Sequence, residues 1–230
     1  MQTLVEGVYE FPQTITRNEV ESTFHPAAVE TEQGIILVDV GFPQAFDQLE
    51  ANMNEVGYDF DEVWAIVLTH QDGDHVAALS SILQETDPIV CAHRECAPYI
   101  DGRLDPIKGS GDRYPATTVD IELADEVTFN TEAGPMEVVY TPGHSPGHIS
   151  LFFPEGKLLL AGDALTAPEG ELAGPNEAYT LDMDMAVESV GRLADLDIEQ
   201  THCYHGGFVA QGTGAIAQIW TESEGSEIID

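Results

Sequence analysis

Basic residues are scarce. Lys and Arg number 7 against 42 Asp and Glu in 230 residues, a formal net charge of −35, and lysine occurs only at Lys108 and Lys157. This shortage argues against a nucleic-acid partner, whose phosphates need Lys and Arg. Cysteine is also rare. Cys91, Cys96 and Cys203 are odd in number and show no C-x-x-C spacing, which suits a reducing cytosol better than an oxidised framework. No stretch approaches the ~18–20 apolar residues of a membrane span. Met1–Gly7 lacks a basic region followed by an apolar one, so no signal peptide is expected and the location reads as cytoplasmic.

What is present is an ordinary apolar fraction of 43%, enough for a full core in one domain. A disordered acidic chain would lack the Val/Ile/Leu runs seen here. The acids are spread along the whole sequence, as expected of a surface built for a very salty cytoplasm. There the screening length falls to about 3 Å at 1 M salt and self-repulsion is largely removed. A salt-loving host is the expectation.

Two similar halves follow one another. The first has alternating residues at Leu4–Phe11, then strands at Ala27–Thr31 and Ile35–Val38. An amphipathic helix is expected over Gln44–Val56, a strand over Val63–Leu68, a helix over Val76–Gln84 and a short strand over Pro88–Cys91. Asp101–Pro115, rich in Gly, Pro and charge, reads as an insertion loop. The second half offers strands at Met136–Tyr140, Ile149–Phe153 and Lys157–Leu160, a helix at Met183–Ala194, a strand at Ile198–Tyr204 and a short helix at Gly214–Trp220. The expected organisation is one α/β domain over residues 1–220, with two mixed sheets packed together and helices outside, and an acidic tail over 221–230.

Metal-capable side chains gather at strand ends. His70, Asp72, Asp74 and His75 fall within six positions directly after the apolar run Val63–Leu68. His144, Asp163 and His205 each follow a later strand, beside Gly143, Gly162 and Gly206, and glycine lets the backbone turn sharply near an ion. Histidine with carboxylate suits zinc, manganese or iron. A lone histidine at a strand end is more often structural, and that is the reading for His25 and His202, whereas His93 reads as a surface residue beginning a helix after a strand. His70, Asp74, His75, His144, Asp163 and His205 in this arrangement are better explained together, as ligands of one centre.

On these segments the chain resembles the metallo-β-lactamase fold superfamily, whose pattern is His-x-His-x-Asp-His followed by a distant His, Asp and His. The resemblance implies an αββα four-layer sandwich with the centre in a cleft at one edge of the two sheets. It implies His70 and His144 at a first metal, Asp74, His75 and His205 at a second, and Asp163 bridging. Asp39 resembles the family's buried aspartate behind the ligands, and His148 reads as a similar supporting residue. Asp72 stands where most members carry the second His. Either it ligates through oxygen, favouring iron or manganese over zinc, or it turns away and the first metal is weakly held or missing.

The implied chemistry is hydrolysis of a small thioester, ester or lactone by a metal-bound hydroxide, with one or two divalent ions, zinc first and iron or manganese as alternatives. Asp74, and with it Asp72, would orient the nucleophile. Phe42, Tyr114 and Tyr179 are candidates for lining the substrate pocket. The partner is a small molecule, with no nucleic acid and no membrane. Two other classes stay open: a non-haem iron oxidoreductase resembling persulfide dioxygenases, and a catalytically silent binding module of the same fold.

Overall fold

Strands that are apolar on both faces need cover on both sides, and that requirement sets the layering. The computed structural model describes residues 1–108 and 113–226, the last three as helix backbone only. The strands are β1 (Gln2–Val5), β2 (Val8–Glu10), β3 (Gln13–Arg17), β4 (Val20–Phe24), β5 (Ala27–Thr31), β6 (Gly34–Val38), β7 (Val63–Leu68), β8 (Ile89–His93), β9 (Ile121–Leu123), β10 (Thr128–Thr131), β11 (Gly134–Tyr140), β12 (Ile149–Phe153), β13 (Leu158–Leu160), β14 (Gln200–Cys203) and β15 (Gly207–Val209). The helices are α1 (Phe46–Glu55), α2 (Gly73–Val76), α3 (Leu79–Glu85), α4 (Ala97–Ile100), α5 (Met183–Ala194) and α6 (Thr213–Ser226).

Among the described residues, one sheet has the order β1-β2-β5-β6-β7-β8-β9 and the other β10-β11-β12-β13-β14-β15, with β3 and β4 a separate hairpin. Both sheets are mixed. In the first, β6 to β9 run parallel beyond the antiparallel β1-β2-β5-β6 portion. In the second, only β13 and β14 pair in parallel. Alternation along each strand then divides the core. In β6, Ile36 and Val38 face the other sheet and meet Val138, Leu151 and Phe153, whereas Ile35 and Leu37 face Leu49, Met53, Leu79 and Ile82 of the helices. On the far side, Phe152 and Leu159 lie against Val190 and Leu193 of α5 and Ile216 of α6. The result is the αββα sandwich expected from the sequence.

Several elements differ from that expectation. The helix expected over Val76–Gln84 begins three residues earlier and is broken into α2 and α3. In an unbroken helix the Ala78 amide would donate to the Asp74 carbonyl. Here Ala78 donates to the Gly41 carbonyl at 2.9 Å, and the Tyr204 hydroxyl donates to the Asp74 carbonyl at 2.5 Å. The polar hairpin β3–β4 was not expected. The segment expected as a tail from residue 221 instead continues α6 to Ser226; residues 227–230 lie outside the described residues.

Candidate metal centre

Four loops converge at one edge of the sheets: the loop after β7, the Thr141–His148 turn after β11, Asp163 after β13 and His205 after β14. The first is fastened from several directions. Asp39, with φ +58° at the end of β6, accepts from the Thr69 amide at 2.8 Å and from the Thr69 hydroxyl at 2.7 Å. It also accepts from His75 Nδ1 at 2.8 Å. Cys96 Sγ donates to the Gln71 side chain at 2.8 Å, and the Tyr114 hydroxyl donates to the Gln71 carbonyl at 2.8 Å. Tyr204 stacks on the His75 ring at 3.7 Å.

These contacts leave lone pairs pointing inward. Because Asp39 accepts the Nδ1–H of His75, Nε2 is the nitrogen turned towards a metal, available to it once its own proton is displaced. Among the described residues, His70 Nε2, His75 Nε2 and Asp163 Oδ1 are buried without a hydrogen-bond partner. An unpaired buried polar atom is costly, and three that converge indicate an absent common partner. Ligand atoms of His70, His144 and Asp163 lie within 4.8 Å of one another, and so do those of Asp74, His75 and His205. Asp163 spans both groups: Oδ1 is 3.4 Å from His75 Nε2, and Oδ2 is 3.3 Å from both His144 Nε2 and His205 Nε2. His205 Nε2 is also 3.3 Å from Asp74 Oδ2. Ligands on a tetrahedral zinc with bonds of about 2.0–2.1 Å lie about 3.3 Å apart, so these donors fit a divalent ion.

The electrostatics agree. Burial presses His75 towards neutrality, but Asp39, Asp163 and Asp74 outweigh it and hold its pKa well above the usual histidine range. Burial likewise opposes the charge on His205, and Asp163 with Asp74 raises its pKa to about 9. An arriving cation must therefore displace protons from both imidazoles. His70 is driven down by burial and by the neighbouring His75. The Asp163 carboxyl is held well below its ordinary range, the facing histidines overcoming the cost of burial.

Asp72 turns into the site. It sits at the N-cap of α2 yet makes no capping bond. Its Oδ2 is instead 3.4 Å from His70 Nε2 and 3.2 Å from His144 Nε2, and it accepts from Lys108 Nζ at 2.7 Å. Burial opposes its charge, but His70, His144 and Lys108 lower its pKa strongly.

His148 supports the ligand loops from behind. Its Nε2 accepts from the Asp163 amide at 2.9 Å, so Nδ1 carries the proton and donates to Thr141 Oγ1 at 2.9 Å. Thr141 then donates to Ser150 and Ser150 to the Ala161 carbonyl, each at 3.0 Å. Burial and the charges of His70 and His144 keep His148 neutral, as this chain of bonds requires. Glycine is needed at two ligand-adjacent positions. A Cβ on Gly162 (φ +56°) would lie 2.6 Å from His148 Nε2, and one on Gly143 (φ +127°) would lie 2.2 Å from the Ala186 nitrogen of α5.

The candidate pocket residues separate. Tyr114 is tied by its hydroxyl to the metal loop. Phe42 meets Phe24 edge-on at 5.3 Å beneath the Arg17 guanidinium, and Phe24 lies 5.5 Å from His205, so this pair borders the centre. Tyr179 is exposed on the segment leading to Leu181, whose amide meets the His144 carbonyl. His25 and His202 flank buried Glu10, as structural histidines do, but His93, expected at the surface, is buried as the last residue of β8 and stacks on Tyr140. Sequence reasoning missed Lys108, Thr69 and Tyr204 as parts of the site.

Asp39→Asn tests the supporting contact. Asparagine tolerates the left-handed backbone but cannot take the His75 proton as an anion does. Metal affinity and kcat/KM should each fall by about 10–100-fold, with the melting temperature of the metal-free protein as the control for folding. Unchanged affinity would show that Asp39 does not orient His75.

The family model of the metallo-beta-lactamase superfamily matches residues 27–205. The chain is 34% identical over 202 residues to the probable metallo-hydrolase YflN of Bacillus subtilis (strain 168), covering 74% of this chain and 75% of that protein. It is 32% identical over 141 residues to a hydroxyacylglutathione hydrolase of Rhizobium meliloti (strain 1021), covering 61% of this chain and 46% of that one. The crystal structure of a metallo-beta-lactamase family protein from Thermus thermophilus superposes with a TM-score of 0.76 at 23% identity, over 97% of this chain and 81% of that chain. That likeness shows the fold.

Proposed function

The chain belongs to the metallo-beta-lactamase superfamily, and on that premise we propose that it is a metal-dependent hydrolase of a small thioester or of an ester or lactone. One observation carries the reading: Asp163, grouped with His70 and His144, lies 3.4 Å from His75 and 3.3 Å from His205 of a second group, and buried atoms of His70, His75 and Asp163 have no hydrogen-bond partner. The thioester class draws support from the similarity to a hydroxyacylglutathione hydrolase.

A bound divalent ion supplies a Lewis acid for the carbonyl and brings the pKa of water near 7. The residues do the rest. Asp39 fixes the tautomer and orientation of His75. His148, neutral, holds the Asp163 backbone in place. Asp74 and His205 lie on the partly exposed side of the site, where the Asp74 carboxylate orients the attacking water through a hydrogen bond. Imidazole and carboxylate donors suit zinc, with iron or manganese as alternatives. The net charge of −35 supports a salt-rich cytoplasm and a small-molecule substrate, with neither nucleic acid nor membrane as partner. No helix among the described residues is long and apolar enough to cross a membrane.

The test combines elemental analysis with turnover. Protein purified in molar KCl should carry a transition metal and hydrolyse at least one member of a panel of short acyl thioesters, esters and lactones. Chelation should stop turnover, and zinc or manganese should restore it. Oxygen consumption with a persulfide, bound iron and no hydrolysis would replace this reading with an iron oxidoreductase. Metal-free, inactive protein would reduce it to a binding module.

A further inference from the structure

The first metal position already faces a cation of the chain's own. Lys108 Nζ lies 2.7 Å from Asp72 Oδ2 and 2.9 Å from His144 Nε2. Those two atoms are 3.2 Å apart and also face His70 Nε2 and Asp163 Oδ2. A neutral imidazole nitrogen offers one lone pair. His144 Nε2 therefore accepts a hydrogen bond from the ammonium or ligates an ion, and cannot do both. Two cations sharing Asp72 would also repel one another in a poorly screened site, because Asp72 and Lys108 are mostly buried.

The second position has no such occupant. Among the described residues no Lys or Arg nitrogen pairs with Asp74, His75, Asp163 or His205, whose ion pairs are all with one another, with Asp39 or with the remaining site histidines. The placement of Lys108 is also costly in a chain with so few cations. The other lysine, Lys157, sits at the surface between Asp197 and Glu199, where a chain of this charge has most use for it.

We infer that the Lys108 ammonium is the resident cation of the first position, held by Asp72 and His144, and that the chain binds a single metal ion at the second position through Asp74, His75, His205 and Asp163. On this account Asp72 in place of a histidine is the anionic half of an ion pair. It also gives the site a fixed positive charge where a second ion would otherwise lie. The inference rests on the metal-dependent reading above but can fail separately from it.

Metal stoichiometry decides. The full chain, stripped with chelator and returned to molar KCl, is titrated with Co2+ and followed by visible absorption and by elemental analysis after dialysis. Wild type should retain one ion. Lys108→Met should retain two, the second binding on the order of 100-fold more tightly than any second ion in wild type. Lys108→Arg, which keeps a cation on the same loop, should again retain one. Two ions in wild type, held as tightly as in Lys108→Met, would overturn the inference and leave the metal-dependent reading standing. One ion in both wild type and Lys108→Met would overturn it too, because the lysine would not be what excludes the second. No ion in either protein would overturn both readings.

Discussion

Asp163→Ala should abolish turnover, lowering kcat/KM by on the order of 10³-fold or more, and should strip the purified protein of metal. Asp163 is 6% exposed and its carboxylate meets four imidazoles, with Oδ1 serving His75 and Oδ2 serving His144, His205 and, at 4.0 Å, His70. Its loss removes the carboxylate that touches both groups, leaving Asp72 beside His144 and Asp74 beside His205 and His75. The fold has less reason to suffer. The Asp163 amide that donates to His148 belongs to the backbone and survives the substitution, and the region around it is held by the β13–β14 pairing. Elemental analysis, turnover and a melting curve on the same preparation separate loss of the ion from loss of structure. Full activity with full metal content would rule out this centre. His75→Ala should behave similarly but also strands Asp39, whose carboxylate would lose the imidazole it orients, so Asp163→Ala is the cleaner probe.

Withdrawing salt should produce the second large effect. The melting temperature should rise by roughly 10 °C or more between dilute buffer and molar KCl, equivalent to about 3–5 kcal/mol for a chain of this length. Arg103 with Asp101 and Glu122, Arg192 with Asp125, and Lys157 with Asp197 and Glu199 neutralise only a few of the 42 acids. The remainder repel across the surface. At 0.01 M salt the screening length is about 30 Å and spans the molecule, whereas at 1 M it is about 3 Å and confines each charge to its neighbours. A melting temperature that does not move would remove the charge argument for a salt-rich setting.

Legibility in the sequence followed how much of an element's character is local. The bounds of β5, β7, β12 and α5 coincide with their expected ranges, because each is an apolar run or stripe covered by its own layer. The hairpin β3–β4 escaped notice because its strands bury only Gln13, Ile15 and Phe24, leaving no pattern to read. The short edge strands β9 and β10 are likewise mostly exposed. Within the site, residues at strand ends were visible: His70, His75, His144, Asp163 and His205 do converge, and Asp39 and His148 do stand behind them. Lys108 and Tyr204 were not. Each acts across a distance in the chain that no local motif records, although a lysine in a chain holding only two was a signal in itself. For Asp72 the sequence left two alternatives, ligation or turning away, and its carboxylate faces into the site beside His70, His144 and the Lys108 ammonium.

The hydrogen bond from Tyr204 to the Asp74 carbonyl joins positions 130 residues apart, and that separation has a kinetic meaning. Contacts between distant parts of a chain pay their loop-closure entropy before they are rewarded, so they form late. The finished shape of the ligand loop after β7 thus depends on a residue just past β14. A chain emerging N-terminus first presents His70, Asp74 and His75 before Tyr204 and His205 exist to complete the site.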